Sequence, residues 1–179
     1  YEEYPLDTAR FKNVIRVAAE KAGWGKKLPK GEGLGIAAHC AWQSYVATIV
    51  HVAMDSDGTV RVPEVHTVVD CGLYVNADRI RSQTEGAAVM GMSNTLYSGI
   101  TFKDGAVEQS NFSDYQVTRM SNYPKKVNVH IIEPGPGARA SGIGEPVLPP
   151  FHAALANAIF AATDKRVRSM PMGEKLERA

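Results

Sequence analysis

At 179 residues, 44% hydrophobic and 22% charged, the chain is long enough for one globular core, or two small lobes, and too apolar to be disordered. A formal charge of +1 with acids and bases interspersed leaves no broad footprint for nucleic acid and no polybasic membrane anchor. Apolar stretches such as residues 45–54 are interrupted by Thr48 and His51 and are too short to cross a bilayer, and the two cysteines, Cys40 and Cys71, lack the spacing of zinc or iron–sulfur ligands.

The chain begins at Tyr1 with no signal-peptide pattern, which reads as a cut or processed start and therefore a fragment. Residues 8–22 place Phe11, Val14, Ile15, Ala18, Ala19 and Ala22 at helical spacing, with Asp7 as N-cap and Gly23 as stop. Residues 26–35 carry Pro29, Gly31, Gly33 and Gly35 and read as a loop, with structure resuming near Ile36. The expected organisation is an N-terminal helix and join over 1–34, a main domain segment over 35–172 and a frayed tail over 173–179.

Over residues 38–54 the even positions, among them Ala38, Cys40, Trp42, Ser44, Val46 and Met54, form a mainly apolar face at period two, which predicts one long strand, straight or bent. Asp55-Ser56-Asp57-Gly58 is a hairpin turn rather than a calcium loop, since the remaining ligands and the closing glutamate are missing. Residues 60–71 return antiparallel, and a change of apolar parity at Pro63 predicts a bulge or an edge position. Cys40 and Cys71 fall on neighbouring predicted strands; the reading favoured is two buried free thiols, with a disulfide as the alternative.

Asn76 or Asp78 caps a helix to about residue 98, with apolar contacts from Ile80, Ala87, Met90, Leu96 and Tyr97. Gly86 and Gly91 inside it point to the close approach of a neighbouring backbone or a ligand. A second hairpin turns at Asp104-Gly105, and residues 127–132 form a short strand closed by Pro134-Gly135-Pro136-Gly137. Pro149-Pro150 opens a helix to about Thr163 with Phe151, Ala154, Leu155, Ala158, Ile159 and Ala162 as its buried stripe, and residues 165–170 are expected to form a terminal strand. Long antiparallel hairpins packed with helices give an α+β class.

The most informative stretch chemically is Ala138-Arg139-Ala140-Ser141-Gly142-Ile143-Gly144-Glu145-Pro146. Gly142 and Gly144 lack Cβ atoms and admit a bulky group to the backbone N–H groups. Pro146 holds Glu145 extended, outside the helix that follows, so that its carboxylate is either aimed into a cavity or simply solvated. Neither this loop nor Gly31-x-Gly33-x-Gly35 completes a dinucleotide fingerprint, and Ser141 lacks the flanking glycines of a nucleophile elbow. His39, His51, His66, His130 and His152 are scattered without metal-ligand spacing, and Trp24 and Trp42 read as core residues.

The run Gly142-Ile143-Gly144-Glu145-Pro146, followed by Pro149-Pro150 and Ala156-Asn157-Ala158-Ile159, resembles the C-terminal signature of the xanthine dehydrogenase and aldehyde oxidase superfamily of molybdenum hydroxylases. Upstream, Val69-Asp70-Cys71-Gly72, Ser82-Gln83-Thr84-Glu85-Gly86 and Asn111-Phe112-Ser113-Asp114-Tyr115 fall in the order of that family. Ala22-Gly23-Trp24-Gly25 and Gly35-Ile36-Ala37 are similar to the isoquinoline 1-oxidoreductase β-subunit and membrane-bound aldehyde dehydrogenase type. The resemblance implies that residues 35–172 are a segment of the second, C-terminal molybdopterin-binding domain of a bacterial large subunit.

It further implies Glu145 as the general base of a hydroxylation that uses oxygen from water, and Gln83, whose amide both donates and accepts, as a hydrogen-bonding partner of the pterin. Backbone N–H groups of Ser141, Gly142 and Gly144 are weaker cofactor contacts on the same grounds, and no residue is assigned as a metal ligand. The implied cofactor is molybdopterin, as the cytosine dinucleotide, carrying molybdenum in the full enzyme. The implied partners are the rest of the large subunit, a small subunit bearing iron–sulfur clusters, and an aldehyde or N-heterocyclic substrate, with no nucleic acid. Such enzymes are cytoplasmic or exported. The fragment by itself is expected to be inactive. The alternative is a non-catalytic assembly or small-molecule-binding module with the same fold.

Overall fold

The computed structural model describes residues 5–173 and 176. In chain order the elements are α1 (Thr8–Ala22), β1 (Glu32–Ala41), β2 (Ser44–Met54), β3 (Val60–Asp70), α2 (Ala77–Met92) running into a π turn (Ser93–Tyr97), the small hairpin β4 (Phe102–Lys103) and β5 (Ala106–Val107), β6 (Val127–Ile131) and α3 (Leu148–Thr163). The main sheet has the order β1-β2-β3-β6; its first three strands are antiparallel neighbours and β6 joins β3 in parallel. This mixture of helices and a mainly antiparallel sheet is the α+β class expected.

The helices begin and end where their capping residues dictate. The Asp7 carboxylate accepts from the N–H groups of Ala9 and Arg10, and Gly23, at φ 65°, closes α1. Asn76, not Asp78, caps α2 by accepting from the N–H groups of Asp78 and Arg79. Beyond α3, Asp164 adopts φ 58° and residues 165–170 form no strand, correcting that expectation. Half of the segment is charged, and only Val167 reaches the core, too little apolar surface to hold a fifth strand. Leu176, in the expected frayed tail, is buried in the same core, while residues 174, 175 and 177–179 lie outside the described residues.

Residues 38–54 are not one strand. The chain reverses at Trp42-Gln43, where both residues take positive φ, 52° and 60°, and Ala41 pairs directly with Ser44. A two-residue turn switches parity: Leu34, Ile36, Ala38 and Cys40 of β1 share a face with Tyr45, Ala47 and Ile49 of β2. No alternation marks the turn because β2 is covered on both sides and residues 44–50 are all buried. α1 packs over Tyr45, Ala47, Ile49 and Val68, and α3 with α2 packs over Val50, Val52 and Val65 through Phe151, Leu155, Ile159 and Met92.

Of the glycines read as a loop, Gly33 and Gly35 lie inside β1, which begins at Glu32, while Gly31, at φ 82°, turns just before it. A Cβ at Gly33 would stand 2.6 Å from the Ala158 carbonyl oxygen, and one at Gly35 would collide with the Ala154 carbonyl. These positions let the alanine-rich face of α3 rest directly on the strand, where Asn157 Nδ2 also donates to the Ile36 carbonyl at 3.1 Å. Gly91 serves α2 likewise against the Phe151 ring, so its close neighbour is a side chain, whereas Gly86 faces open space. The bulge predicted at Pro63 is present, with Val62 and Pro63 opposing Val52. Cys40 and Cys71 are free thiols, separated by β2. Among the described residues no helix is long and apolar enough to cross a membrane.

Candidate active site

The stretch from Ala138 to Pro146 lies across the end of β3. Ser141 N–H donates to the Cys71 carbonyl at 3.0 Å, Leu73 N–H donates to the Arg139 carbonyl at 3.2 Å, and Gly72 forms an isolated bridge with Ala140. Gly72 takes φ 64°, and a side chain there would run into the Arg139 carbonyl, so only glycine permits this approach. Beneath the loop, fully buried Ser44 donates to the Gly142 carbonyl at 2.5 Å and Ser141 Oγ donates to the Cys71 carbonyl at 2.7 Å, with the two hydroxyls 2.8 Å apart. Each hydroxyl carries one proton, so any two of these three contacts are made at once and the loop is pinned to β2 and β3.

Glu145 stands exposed outside α3, its carbonyl accepting from Leu148 N–H at 2.9 Å as the helix begins, while Pro146 behind it is buried. Its carboxylate Oε2 accepts from Trp42 Nε1 at 3.1 Å. Gln83, exposed on α2, donates through Nε2 to the Gly144 carbonyl at 2.6 Å. Two segments far apart in sequence thus meet beside one carboxylate. The N–H groups of Ser141 and Gly142 are engaged within the protein, by the carbonyls of Cys71 and Trp42. Among the described residues Gly144 N–H and Gln83 Oε1 have no hydrogen-bond partner, and a Cβ at Gly144 would meet nothing within 4 Å.

Two clefts flank the loop. One, of about 520 Å³, lies on the α2 side between Leu73, Tyr74, Arg79, Gln83, Ile143 and Gly144. The other, of about 660 Å³, lies on the α1 side between Arg10, Gln43, Asp70, Glu133 and Arg139. Ser141 borders both. On the α1 side Arg10 holds Asp70 bidentately, at 2.9 Å and 2.6 Å, and lies 4.5 Å over the Tyr45 ring. The hydrogen bond to Asp70 raises the Arg10 guanidinium above its ordinary value. Burial pushes the Cys71 thiol up, which keeps it protonated and unreactive at neutral pH.

The donors and acceptors fit a fused heterocycle with polar edges better than a bare ion. An unpaired amide oxygen, an unpaired N–H and open space converge at Gly144, whereas no group of three His, Cys, Asp or Glu side chains gathers to hold a metal among the described residues. Sequence reasoning missed Trp42, expected in the core yet 66% exposed at the site. Trp24, also expected in the core, is 47% exposed. It missed Ser44 and the Arg10–Asp70 pair as well, which show only when β1, β2 and α1 are assembled.

Comparison with known proteins gives the family of the chain. Residues 11–124 match the family described as molybdopterin cofactor-binding domain. The chain is 30% identical over 163 residues to isoquinoline 1-oxidoreductase subunit beta of Brevundimonas diminuta, covering 89% of this chain and 20% of that protein. It is 32% identical over 167 residues to the membrane-bound aldehyde dehydrogenase [pyrroloquinoline-quinone] of Gluconacetobacter polyoxogenes, covering 89% and 21%. The chain therefore spans about a fifth of the length of these curated relatives. Its fold is that of quinoline 2-oxidoreductase from Pseudomonas putida 86, with a TM-score of 0.67 and 21% identity over 74% of this chain and 18% of that one. The aldehyde oxidoreductase of Desulfovibrio desulfuricans ATCC 27774 gives a TM-score of 0.65 at 25% identity, over 76% and 15%.

Proposed function

Because the chain belongs to the molybdopterin cofactor-binding domain family, we propose that it is the C-terminal part of the large subunit of a molybdenum hydroxylase, an oxidoreductase that hydroxylates an aldehyde or an N-heterocycle. The names of its relatives, an isoquinoline oxidoreductase and an aldehyde dehydrogenase, suggest those substrate classes. The observation that carries the reading is the meeting of Gln83 and Gly144 at 2.6 Å, beside Glu145. When bound, molybdopterin supplies a metal that acidifies water and accepts the substrate's electrons. Its cytosine dinucleotide form and an iron–sulfur small subunit belong to the same proposal.

The residues of this chain then have distinct tasks. Gln83, with Nε2 committed to the loop, presents Oε1 to a ring N–H of the pterin, and Gly144 N–H offers a donor beside it. Ser141 and Gly142 act on the cofactor only by holding the loop that carries Gly144, since their own N–H groups are engaged. Glu145 takes the proton of the attacking water-derived oxygen; Oε2 is occupied by Trp42, which leaves Oε1 for that proton. In this chain the carboxylate is open to solvent, so the low-dielectric surroundings that sharpen a general base come from the rest of the subunit.

In the full-length polypeptide, Gln83→Ala should lower bound pterin and molybdenum several-fold without unfolding α2, because Gln83 is exposed. Wild-type cofactor content in that variant would remove Gln83 from the cofactor site. The chain alone lacks the other cofactor-binding segments and should show no turnover; hydroxylation of an aromatic aldehyde by the purified chain would contradict this.

A further inference from the structure

Trp42 stands where the local sequence rules least favour it. A two-residue hairpin turn with both φ values positive is the natural place for Asn-Gly, and a tryptophan and a glutamine there carry backbone strain. Burial does not offset that strain within this chain, since Trp42 is 66% exposed. What the turn achieves is a two-point grip on the loop of Glu145. The Trp42 carbonyl accepts from Gly142 N–H at 3.3 Å, and its Cβ lies 3.1 Å from where a Gly142 side chain would begin. On the far side of Gly144, the indole Nε1 donates to Glu145 Oε2 at 3.1 Å.

We infer that Trp42 is a positioning residue for Glu145, fixing one carboxylate oxygen so that the other faces the reacting proton; this rests on the assignment of Glu145 as the base. An indole N–H can only donate, so it occupies one oxygen without competing for the proton that the base removes. Ser44, two residues on, fastens the same loop from below through the Gly142 carbonyl. The β1–β2 hairpin is therefore a rigid arm whose tip sets the carboxylate's direction, in the way that neighbouring hydrogen bonds orient catalytic groups elsewhere. The competing view is that Trp42 only docks the loop or another part of the protein, its contact with Glu145 being incidental.

The test uses the full-length, cofactor-loaded polypeptide. Trp42→Phe keeps a flat ring over Gly142 and removes the N–H. It should lower kcat about tenfold, the worth of one hydrogen bond to a charged group, with KM and bound molybdenum unchanged. A second measurement does not depend on turnover: in 5-fluorotryptophan-labelled, cofactor-free protein, the ¹⁹F resonance absent from Trp42→Phe or Trp42→Tyr should move when Glu145 is changed to Ala. An unmoved resonance, an unchanged kcat in Trp42→Phe, or a loss of molybdenum that accounts for the lost activity would each overturn the inference. Turnover surviving Glu145→Gln would instead remove the base assignment itself, so the two failures are distinct.

Discussion

His66 and His130 are joined side by side on the face of the sheet that carries α1, their rings nearly parallel with centroids 5.6 Å apart and nitrogens 3.3 Å apart. Burial pushes both below the ordinary histidine value; Glu64 opposes this at His66, Lys126 and Lys26 add to it, and at His130 the neighbouring His66 and Lys21 add to it. Burial lowers His152 as well. Between the native and unfolded values the unfolded chain binds more protons, so the stability these histidines contribute is complete above about pH 6.5 and is lost as pH falls below it. Glu64 is raised by burial yet brought below the carboxylate range by Asn128 and Lys126, so its share persists to more acidic pH. The urea midpoint should therefore fall from about pH 7.5 to about pH 5.5, and less steeply in a His66→Gln, His130→Gln variant. A midpoint that holds or rises on acidification contradicts the assignment. At this scale a residue's neighbours across strands decide its role. That Glu145 stands outside α3 was legible because Gly144 and Pro146 are its chain neighbours, whereas the pairing of His66 with His130 and of Trp42 with Glu145 comes only from strand order and turn geometry.

Among the elements, β1 and α3 depend on each other through missing side chains. Gly33 and Gly35 leave room for the backbone of α3, and Ala154 and Ala158 on its buried stripe keep that side flat. Gly35→Ala should cost about 3 kcal/mol, at the upper end of overpacking, because the clash is with helix backbone rather than a flexible side chain. Chemical denaturation of the chain measures it, and a loss under about 0.5 kcal/mol, typical of surface positions, would mean that α3 does not lie on this strand. The same substitution at Gly86, which faces open space, should not destabilise α2. Legibility followed the same logic. α1, α3 and the turns at Gly58 and Gly105 were read correctly because cap, stripe and turn residue act locally. The β1–β2 reversal was not, since Trp42-Gln43 carries no turn chemistry and β2 no alternation. Gly33 and Gly35, read as part of a loop, proved to be packing positions inside a strand, whereas Gly31 is the turn residue expected.

At the scale of the whole molecule, the sheet is a layer between α1 on one face and α2 with α3 on the other, and the candidate site sits at its edge where β3 ends. The parallel pairing of β6 with β3 delivers the stretch after residue 131 to that end, and such a pairing requires a long crossover, here through α2 and the β4–β5 hairpin. Crossovers join distant segments, so no short window of sequence announces this one. The arrangement leaves Glu145 and Gln83 on an open surface; under the proposed function the other wall of the site would come from outside this chain, which spans about a fifth of the length of its curated relatives. In the proposed function Glu145 acts on the substrate's reaction and not on cofactor binding. The most direct measurement is the rate at which saturating substrate reduces the full-length Glu145→Gln enzyme in a stopped-flow experiment, normalised to bound molybdenum. Wild-type molybdenum content is expected, with reduction slowed roughly a thousandfold, within the range that a general base contributes; reduction at the wild-type rate, or loss of the cofactor, would rule out that role for Glu145.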